Sequence, residues 1–436
     1  MLKSVRFTEV ITYRTRSSAA ERSVHIGKAT GSNPVESTFM GTINILLIAS
    51  IFSLIFGQLV RVPIFTESAL TITDILVAAL DICFLANALA VKKSLSLPKL
   101  IFIPALLFSA AASLSTVLAM QTFTSKEILI SLMFLIRFIM YFFVSIVVAN
   151  TVSKSKVSGF LNIILVAGFV FITAGFFQLL VFPDLSSLAP FGWDPHQQRI
   201  TSTFLDPNFA GMLIVMLFTI ASCKFLFTKR PVYLLYALIS FASLMLTFSR
   251  STYLALLAAV AIIGIYKSKK ILAAFLMMFI ISFVLIPQVR SRIVGAANVD
   301  ETSQARIESW QKAIKIFGDN PIFGVGFNTY RFAQEKYGFF DLSQPEGGHS
   351  GGGSDSSILT VAATTGVFGL FFFLWLLVAC ILHLAKKAQK NPSYLAALSI
   401  FAALVVNSQF VNSLFFPQIM LVMWFTLGLT FSRNST

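Results

Sequence analysis

Residues 356–384 read SSILTVAATTGVFGLFFFLWLLVACILHL, a run of 29 residues without Lys, Arg, Asp or Glu. A helix needs about 20 apolar residues to cross the hydrocarbon core of a bilayer, which is about 30 Å thick. A soluble domain seldom contains an uncharged run of this length. The segment therefore predicts a transmembrane helix.

Composition extends this interpretation to the whole chain of 436 residues, of which 56% are hydrophobic and 12% charged. Soluble domains carry about twice that share of charge. The net charge of +15 could indicate nucleic acid, but Lys and Arg collect in cytoplasmic loops of membrane proteins, so we predict no nucleic-acid partner. The three cysteines lie in or beside apolar runs without metal-ligand spacing, so we predict neither disulfides nor a metal site.

The first 39 residues differ from the rest because they are polar and basic and lack the apolar core of a signal peptide. The residues Gly31-Ser32-Asn33-Pro34 are also what the T-arm consensus of a tRNA gene, GGTTCGAATCC, encodes in frame. We therefore expect residues 1–39 to be a non-native or disordered N-terminal extension, with Met40 as the true start.

From Met40 onward, apolar runs follow one another closely, and we predict an all-α fold, a bundle of about twelve transmembrane helices. The predicted spans are 41–60, 68–91, 100–120, 127–150, 158–181, 208–226, 232–248, 251–267, 271–287, 356–384, 393–410 and 413–431. Residues 40–287 thus hold nine spans and residues 356–436 hold three. Between them, 288–355 forms one large loop before the third-last helix.

Lysine-rich loops test this count, since such loops stay cytoplasmic. Their basic residues are Lys92, Lys93 and Lys99, then Lys154 and Lys156, then Lys224, Lys229 and Arg230, then Lys267, Lys269 and Lys270, then Lys386, Lys387 and Lys390. These are alternate loops throughout. Both termini are then predicted to be cytoplasmic, and the loop 288–355 extracytoplasmic.

The positive-inside rule does not explain positive charge in the outward loops, and most of that charge comes from arginine. The arginines concerned are Arg199, Arg250, Arg290, Arg292, Arg306 and Arg331. A guanidinium binds phosphate oxygens bidentately and stays charged at any relevant pH. The set predicts a diphosphate site on the outer face. Solvated charges or lipid-headgroup contacts are the alternative, which applies most to Arg290, Arg292 and Arg331.

The long loop has structure of its own. Ile307, Trp310, Ile314 and Phe317 recur at helical spacing, so 303–317 is predicted to be an amphipathic helix at the membrane surface. A second short helix is expected after residues 324–326, with Tyr330 and Arg331 on it. The glycine-rich tract 345–353 is either a mobile lid or a disordered segment.

Several motifs, taken in order, resemble the O-antigen ligase and O-antigen polymerase superfamily. They are Arg199 with FLDPNFA at 204–210, TFSRS at 247–251, ARIESW at 305–310, NPIFGVG at 320–326 and TGVFGL at 365–370. No single motif is specific to the superfamily. Their order is more specific when it is combined with one large loop before the third-last helix.

The resemblance implies a metal-independent, inverting glycosyl transfer without cofactors at the outer face of the bacterial cytoplasmic (inner) membrane. The donor would be an undecaprenyl-diphosphate-linked oligosaccharide or polysaccharide, with membrane lipid and chain-length or export proteins as further partners. Arg199, Arg250 and Arg306 match family arginines that would hold the diphosphate. Arg306 would also stabilise charge on the leaving group. We add Arg331 and Arg137 as candidate contacts.

The chain departs from the family at the catalytic base. Ligases show a His-Asn pair four residues before a leucine and eleven before a glycine. Counted back from Leu359 and Gly366, that position is Asp355. Its carboxylate can act as the base, or it can cap the following helix. His349 can swing in from the glycine-rich tract or stay solvated. Without the His-Asn pair, a glycan polymerase is favoured over an O-antigen ligase.

Asp81 and Arg137 fall inside predicted spans, where an unpaired charge is costly. We predict that they pair with each other; alternatively, Arg137 contacts the lipid diphosphate from below.

The alternative of another class is a secondary transporter or lipid-glycan flippase, because twelve helices with both ends inside is a common transporter layout. Against it, the two halves of the chain do not correspond, and polar groups concentrate outside the membrane rather than at its midplane. Glycosyl transfer is therefore the first prediction.

Overall fold

The computed structural model describes residues 34–65, 68–91, 95–191, 193–340 and 352–433. Most of the expected N-terminal extension, Lys92, Lys93 and His349 lie outside these described residues, so the predictions made for them stay predictions.

The described residues are mostly helical, which suits a chain in lipid because a helix satisfies its backbone polar groups within the segment. The helices are α1 Pro34–Phe52, α2 Ile72–Ala90, α3 Lys99–Ala119, α4 Ser125–Thr151, α5 Val157–Val181, α6 Pro207–Thr228, α7 Pro231–Met245, α8 Arg250–Tyr266, α9 Lys269–Leu285, α10 Pro287–Ala297, α11 Glu301–Asp319, α12 Tyr330–Lys336, α13 Ser357–Ala385, α14 Pro392–Asn407 and α15 Pro417–Thr430.

Six of these helices are long and apolar enough to cross a membrane, or seven if α9 and α10, bent by 98°, form one broken span. Shorter apolar helices, α1, α7, α8, α14 and α15, occupy further predicted spans. Each predicted span therefore coincides with an apolar helix in the part of the chain that the structure describes. The count of twelve crossings remains a prediction.

Helix α6 forms the centre of the bundle: 89% of its apolar window is buried, against 39–56% for the other long helices. Helices α7, α8 and α14 pack around it. The outer helices expose large apolar side chains such as Leu89 and Leu180. Such a surface is stable in contact with lipid and would aggregate in water.

Lysine side chains gather at the C-terminal end of α6. Asp206 precedes the helix and Lys224 follows 18 residues later, which corresponds to about 27 Å along the axis. Lys154, Lys224 and Lys387 line one pocket at the far end, where α15 also terminates. The lysine loops and the C-terminal end of α15 thus share one end of the bundle. That this end faces the cytoplasm remains a prediction.

A short hairpin was not predicted. Strands β1 Arg61–Phe65 and β2 Ser68–Thr71 pair antiparallel, so the predicted span 68–91 is wrong at its start and its helix begins at Ile72. The Thr71 hydroxyl accepts a hydrogen bond from the Asp74 backbone N–H, and the Asp74 carboxylate accepts one from the Thr71 N–H at 2.8 Å. This reciprocal cap stops the helix from extending toward the strand.

The predicted pair of Asp81 with Arg137 is wrong. Arg137 Nε lies 3.0 Å from Asp74 Oδ1, and the Tyr141 hydroxyl donates to the same oxygen at 3.1 Å. Asp81 is buried, and neither carboxylate oxygen has a hydrogen-bond partner among the described residues. Asp74 and Asp81 are seven residues apart and share one face of α2, so sequence spacing could not distinguish them.

Asp74→Ala is therefore expected to lower the free energy of unfolding by about 3 kcal/mol, because it leaves the Arg137 guanidinium buried without its counter-ion. Asp81→Leu is the matched control and should be neutral or stabilising. Thermal unfolding in detergent measures both. Equal destabilisation by the two substitutions would contradict the ion pair seen here.

Helix α13 contains a break at Gly366, where φ is +63° and ψ is −164°. The break frees the Ala363 and Thr364 carbonyls, which accept hydrogen bonds from the Val325 and Gly326 N–H groups at 3.0 Å. In return the Val367 N–H donates to the Pro321 carbonyl at 2.8 Å. The NPIFGVG segment thus replaces the missing helical bonds, which gives both motifs a structural role.

Gly366→Ala is expected to destabilise the fold by about 3 kcal/mol, because a Cβ there would collide with the Ile322 carbonyl and the positive φ disfavours L side chains. Gly318→Ala on α11 is the control, since nothing lies within 4 Å of its added Cβ. Thermal unfolding compares the two variants. A Gly366→Ala protein as stable as wild type would show that the break is dispensable.

Candidate functional site

A cavity of about 880 Å³ opens at the end of α6 opposite the lysine pocket. We call it the arginine cavity, after Arg199, Arg250, Arg292 and Arg306 on its wall. Asp355 lines it as well. Residues far apart in sequence meet here because the α5–α6 connection, the N-terminus of α8, α10, α11 and the segment before α13 converge at this end. Three of the predicted diphosphate ligands and one predicted base thus share a cavity.

Arg199 is held by backbone carbonyls rather than by a carboxylate. Its Nε donates to the Thr247 carbonyl at 2.8 Å and a terminal nitrogen donates to the Phe248 carbonyl at 3.3 Å. Burial, reinforced by the nearby charge of Arg292, lowers the pKa of Arg199 to about 10. The group remains cationic at pH 7. Within the described residues, no carboxylate oxygen lies within 4.0 Å of it.

Arg250 begins α8 and forms an ion pair with Asp300, with three nitrogen-to-oxygen contacts of 3.0 Å. Asp300 also caps α11 by accepting from the Ser303 N–H at 3.0 Å. Burial raises the pKa of Asp300, but its hydrogen bonds from Arg250 and Ser303 bring it below the usual value. Arg250 therefore already has an anionic partner, which a substrate would have to displace.

Helix α11 includes residues 303–317, which were predicted to form an amphipathic helix. The face that it buries differs from the predicted apolar face. Ser309, Ala313 and Ile316 are buried and the helix packs on α13, whereas Ile314 is 55% exposed. The small side chains of Ser309 and Ala313 allow α11 to approach α13 closely. The spacing of the large apolar residues did not predict this contact. The same packing turns Arg306 into the cavity.

Arg306 has no direct anionic partner among the described residues. Burial lowers its pKa; Asp355 acts against this shift, and the charge of Arg250 adds to it. Among the described residues, no hydrogen-bond acceptor and no carboxylate within 4.0 Å is found for its guanidinium. A desolvated cation without a close counter-ion is a binding site for an anion.

Asp355 is tied to the same helix as Arg306. Its backbone N–H donates to the Ser309 hydroxyl at 3.0 Å, one turn after Arg306. The predicted alternative that Asp355 caps α13 is wrong, because Ser356 is the cap and accepts from the Leu359 N–H at 3.2 Å. Asp355 lines the arginine cavity.

His196, which the sequence analysis missed, lines the arginine cavity. Arg292 lines it too; it was named among the outward arginines but was not matched to a family arginine. His196 Nε2 lies 3.8 Å from Asp206 Oδ2, while Asp206 Oδ1 caps α6 by accepting from Asn208 N–H at 2.6 Å. Burial raises the pKa of Asp206, but the nearby His196 and hydrogen bonds from the Asn208 and Phe209 N–H groups leave it below its ordinary value. The position of His196 three residues before Arg199 was the available signal.

Asp194, His196 and Asp206 are also the described residues best arranged to hold a metal ion, since their ligand atoms lie within 4.8 Å of one another. Two features weaken that arrangement. Asp206 already caps a helix, and the cavity walls carry several guanidinium groups that repel a cation.

The other two predicted ligands, Arg137 and Arg331, lie in a neighbouring cavity of about 290 Å³. We call it the aromatic cavity, after Phe134, Phe209, Phe415 and Phe416 on its wall. It shares Phe209, Gly352 and Asn412 with the arginine cavity. The structure therefore divides the predicted set between two adjoining cavities, and Arg290 is exposed outside both.

The family model described as O-antigen ligase matches residues 235–374 of the sequence. This stretch includes Arg250, Arg306 and Asp355 but not Arg199. The match confirms the resemblance drawn from the motifs, and with the apolar helices it indicates a multi-pass bacterial membrane protein of polysaccharide biosynthesis. No curated protein matches the chain significantly.

Proposed function

We propose, since residues 235–374 match the O-antigen ligase family, that the protein polymerises undecaprenyl-diphosphate-linked glycan at the outer face of the cytoplasmic membrane. The arginine cavity carries this proposal. Arg199 and Arg306 are desolvated cations with lowered pKa values and no close carboxylate among the described residues. A bound diphosphate would restore the counter-charge that both lack.

In the proposed reaction, the acceptor hydroxyl oxygen attacks the anomeric carbon of the donor sugar from the face opposite the diphosphate. A C–O bond to the acceptor forms as the C–O bond to the diphosphate breaks, and the configuration inverts. The bonding electrons leave on the diphosphate oxygen. Arg306 and Arg199 stabilise the charge that develops there, which is the catalytic use of fixed cations in a water-poor site.

The acceptor proton would go to the Asp355 carboxylate. Asp355 lines the same cavity as the arginines and is held beside α11 through Ser309. A carboxylate on the wall of this cavity can serve as general base for an acceptor hydroxyl bound there. His349, the second predicted base, lies outside the described residues.

A ligase is the second candidate, favoured by the description of the matching family itself. The two activities use the same donor and the same chemistry, and they differ only in the acceptor. A polymerase extends another lipid-linked glycan, whereas a ligase transfers the finished polymer to a different acceptor.

The glycans that accumulate in a deletion strain distinguish these candidates. We expect single repeat units on undecaprenyl diphosphate without the gene, and long chains after complementation with wild type but not with Asp355→Ala. Full-length lipid-linked polymer that is never transferred would identify a ligase. Normal surface glycan in the deletion strain would exclude both glycosyl transfer and a lipid-glycan flippase, and would leave the secondary transporter.

A further inference from the structure

The aromatic cavity adjoins the arginine cavity but has different chemistry. Its rings are fixed in place: Phe416 stacks on Phe209 with centroids 4.2 Å apart, and Phe415 stacks on Phe373 at 5.7 Å. Half-buried ring faces line the cavity without filling it. Flat aromatic faces of this kind pack well against the C–H faces of a sugar ring.

Polar side chains line the same cavity. Gln58, Asn328 and Asn412 supply amides, which both donate and accept hydrogen bonds as a sugar hydroxyl does. Asn412 lies at the junction of the two cavities, and its buried Oδ1 has no hydrogen-bond partner among the described residues. A buried amide oxygen left in this state favours a ligand that donates to it.

The other ligands of the proposed reaction fit less well. A diphosphate needs available cations, but both arginines of this cavity are engaged. Arg137 pairs with Asp74 at 3.0 Å, and the Arg331 guanidinium lies over the Phe340 ring, 5.9 Å from its centroid. A prenyl chain needs no hydrogen bonds, so it would leave the amides unsatisfied. Stacked rings combined with amides match a saccharide better than either.

We propose that the aromatic cavity is the acceptor subsite, which holds a sugar of the acceptor glycan and directs its hydroxyl past Asn412 into the arginine cavity. This inference rests on the proposed function. The donor diphosphate and the acceptor sugar then occupy adjoining cavities that meet at Phe209 and Asn412.

Two binding measurements on the full chain in nanodiscs test the subsite. The probes are undecaprenyl diphosphate without sugar and the free repeat-unit oligosaccharide released by mild acid from the deletion strain. We expect Asn412→Ala and Phe416→Leu each to weaken oligosaccharide binding about tenfold or more and to change undecaprenyl diphosphate binding less than about twofold. Phe371→Leu, an exposed phenylalanine on α13, is the matched control.

Asn412→Ala removes only a small polar group, so it keeps the test decisive if Phe416→Leu does not fold. Unchanged oligosaccharide binding in Asn412→Ala would overturn the acceptor subsite, as would weakened binding of undecaprenyl diphosphate alone. Failure of the wild type to bind undecaprenyl diphosphate would instead overturn the proposed function. Wild type that binds the diphosphate but no oligosaccharide would overturn the subsite and leave the donor site standing.

Discussion

Asp355→Asn is expected to lower the rate of glycan transfer by about 10²–10⁴-fold, the usual contribution of a general base. The substitution keeps the shape of the side chain and removes its capacity to take a proton. The backbone bond from residue 355 to Ser309 does not depend on the side chain and should persist. Purified protein in nanodiscs with isolated single-repeat lipid-linked glycan allows the rate to be followed by chain length.

Donor binding separates a catalytic role from a structural one. We expect Asp355→Asn to bind undecaprenyl diphosphate at least as tightly as wild type, because it removes a negative charge that acts on Arg306. Asp319→Asn, at the exposed end of α11, is the control with the same change of charge. A transfer rate close to wild type in Asp355→Asn would exclude this carboxylate as the base and direct attention to His349.

Arg306→Ala is expected to lower the transfer rate by about 10²–10³-fold, the range found when one preorganised donor to a developing negative charge is removed. The arginine has no close counter-ion among the described residues, so its loss breaks no ion pair that the fold requires. Unfolding temperature should therefore change little, and undecaprenyl diphosphate binding should weaken.

Lys315→Ala is the control for Arg306→Ala, since Lys315 lies on the same helix with 62% of its side chain exposed. Arg306→Lys tests the geometry, because a lysine keeps the charge but cannot present two parallel donors. Full activity in Arg306→Lys would mean that charge alone is required. Full activity in Arg306→Ala would remove Arg306 from the site.

The sequence supported much of this fold because its strongest signals are local. Uncharged runs of about 20 residues have few structures open to them, and each predicted span coincides with an apolar helix. The arginines of the outward loops stood out because the positive-inside rule made them unexpected there. The family resemblance then singled out Arg199, Arg250 and Arg306 among them, and these three lie in one cavity.

What the sequence left open depends on contacts between distant segments. Asp74 rather than Asp81 pairs with Arg137 because β2 and the cap at Thr71 position the first turn of α2 beside α4. The break at Gly366 exists only because residues 321–326 supply its missing hydrogen bonds. His196 was missed because its closeness to Asp206 results from a turn in the α5–α6 connection. None of these contacts produces a periodic pattern of residues in the sequence.

The ion pair between Arg250 and Asp300 has a consequence for selectivity. Asp300 is a tethered carboxylate that occupies Arg250 in this structure. On the proposed function, an incoming anion would have to displace a carboxylate that never diffuses away, which disfavours monoanionic ligands. A diphosphate, with more charge and more oxygens, would compete better, and Asp300 would return to Arg250 once the product left.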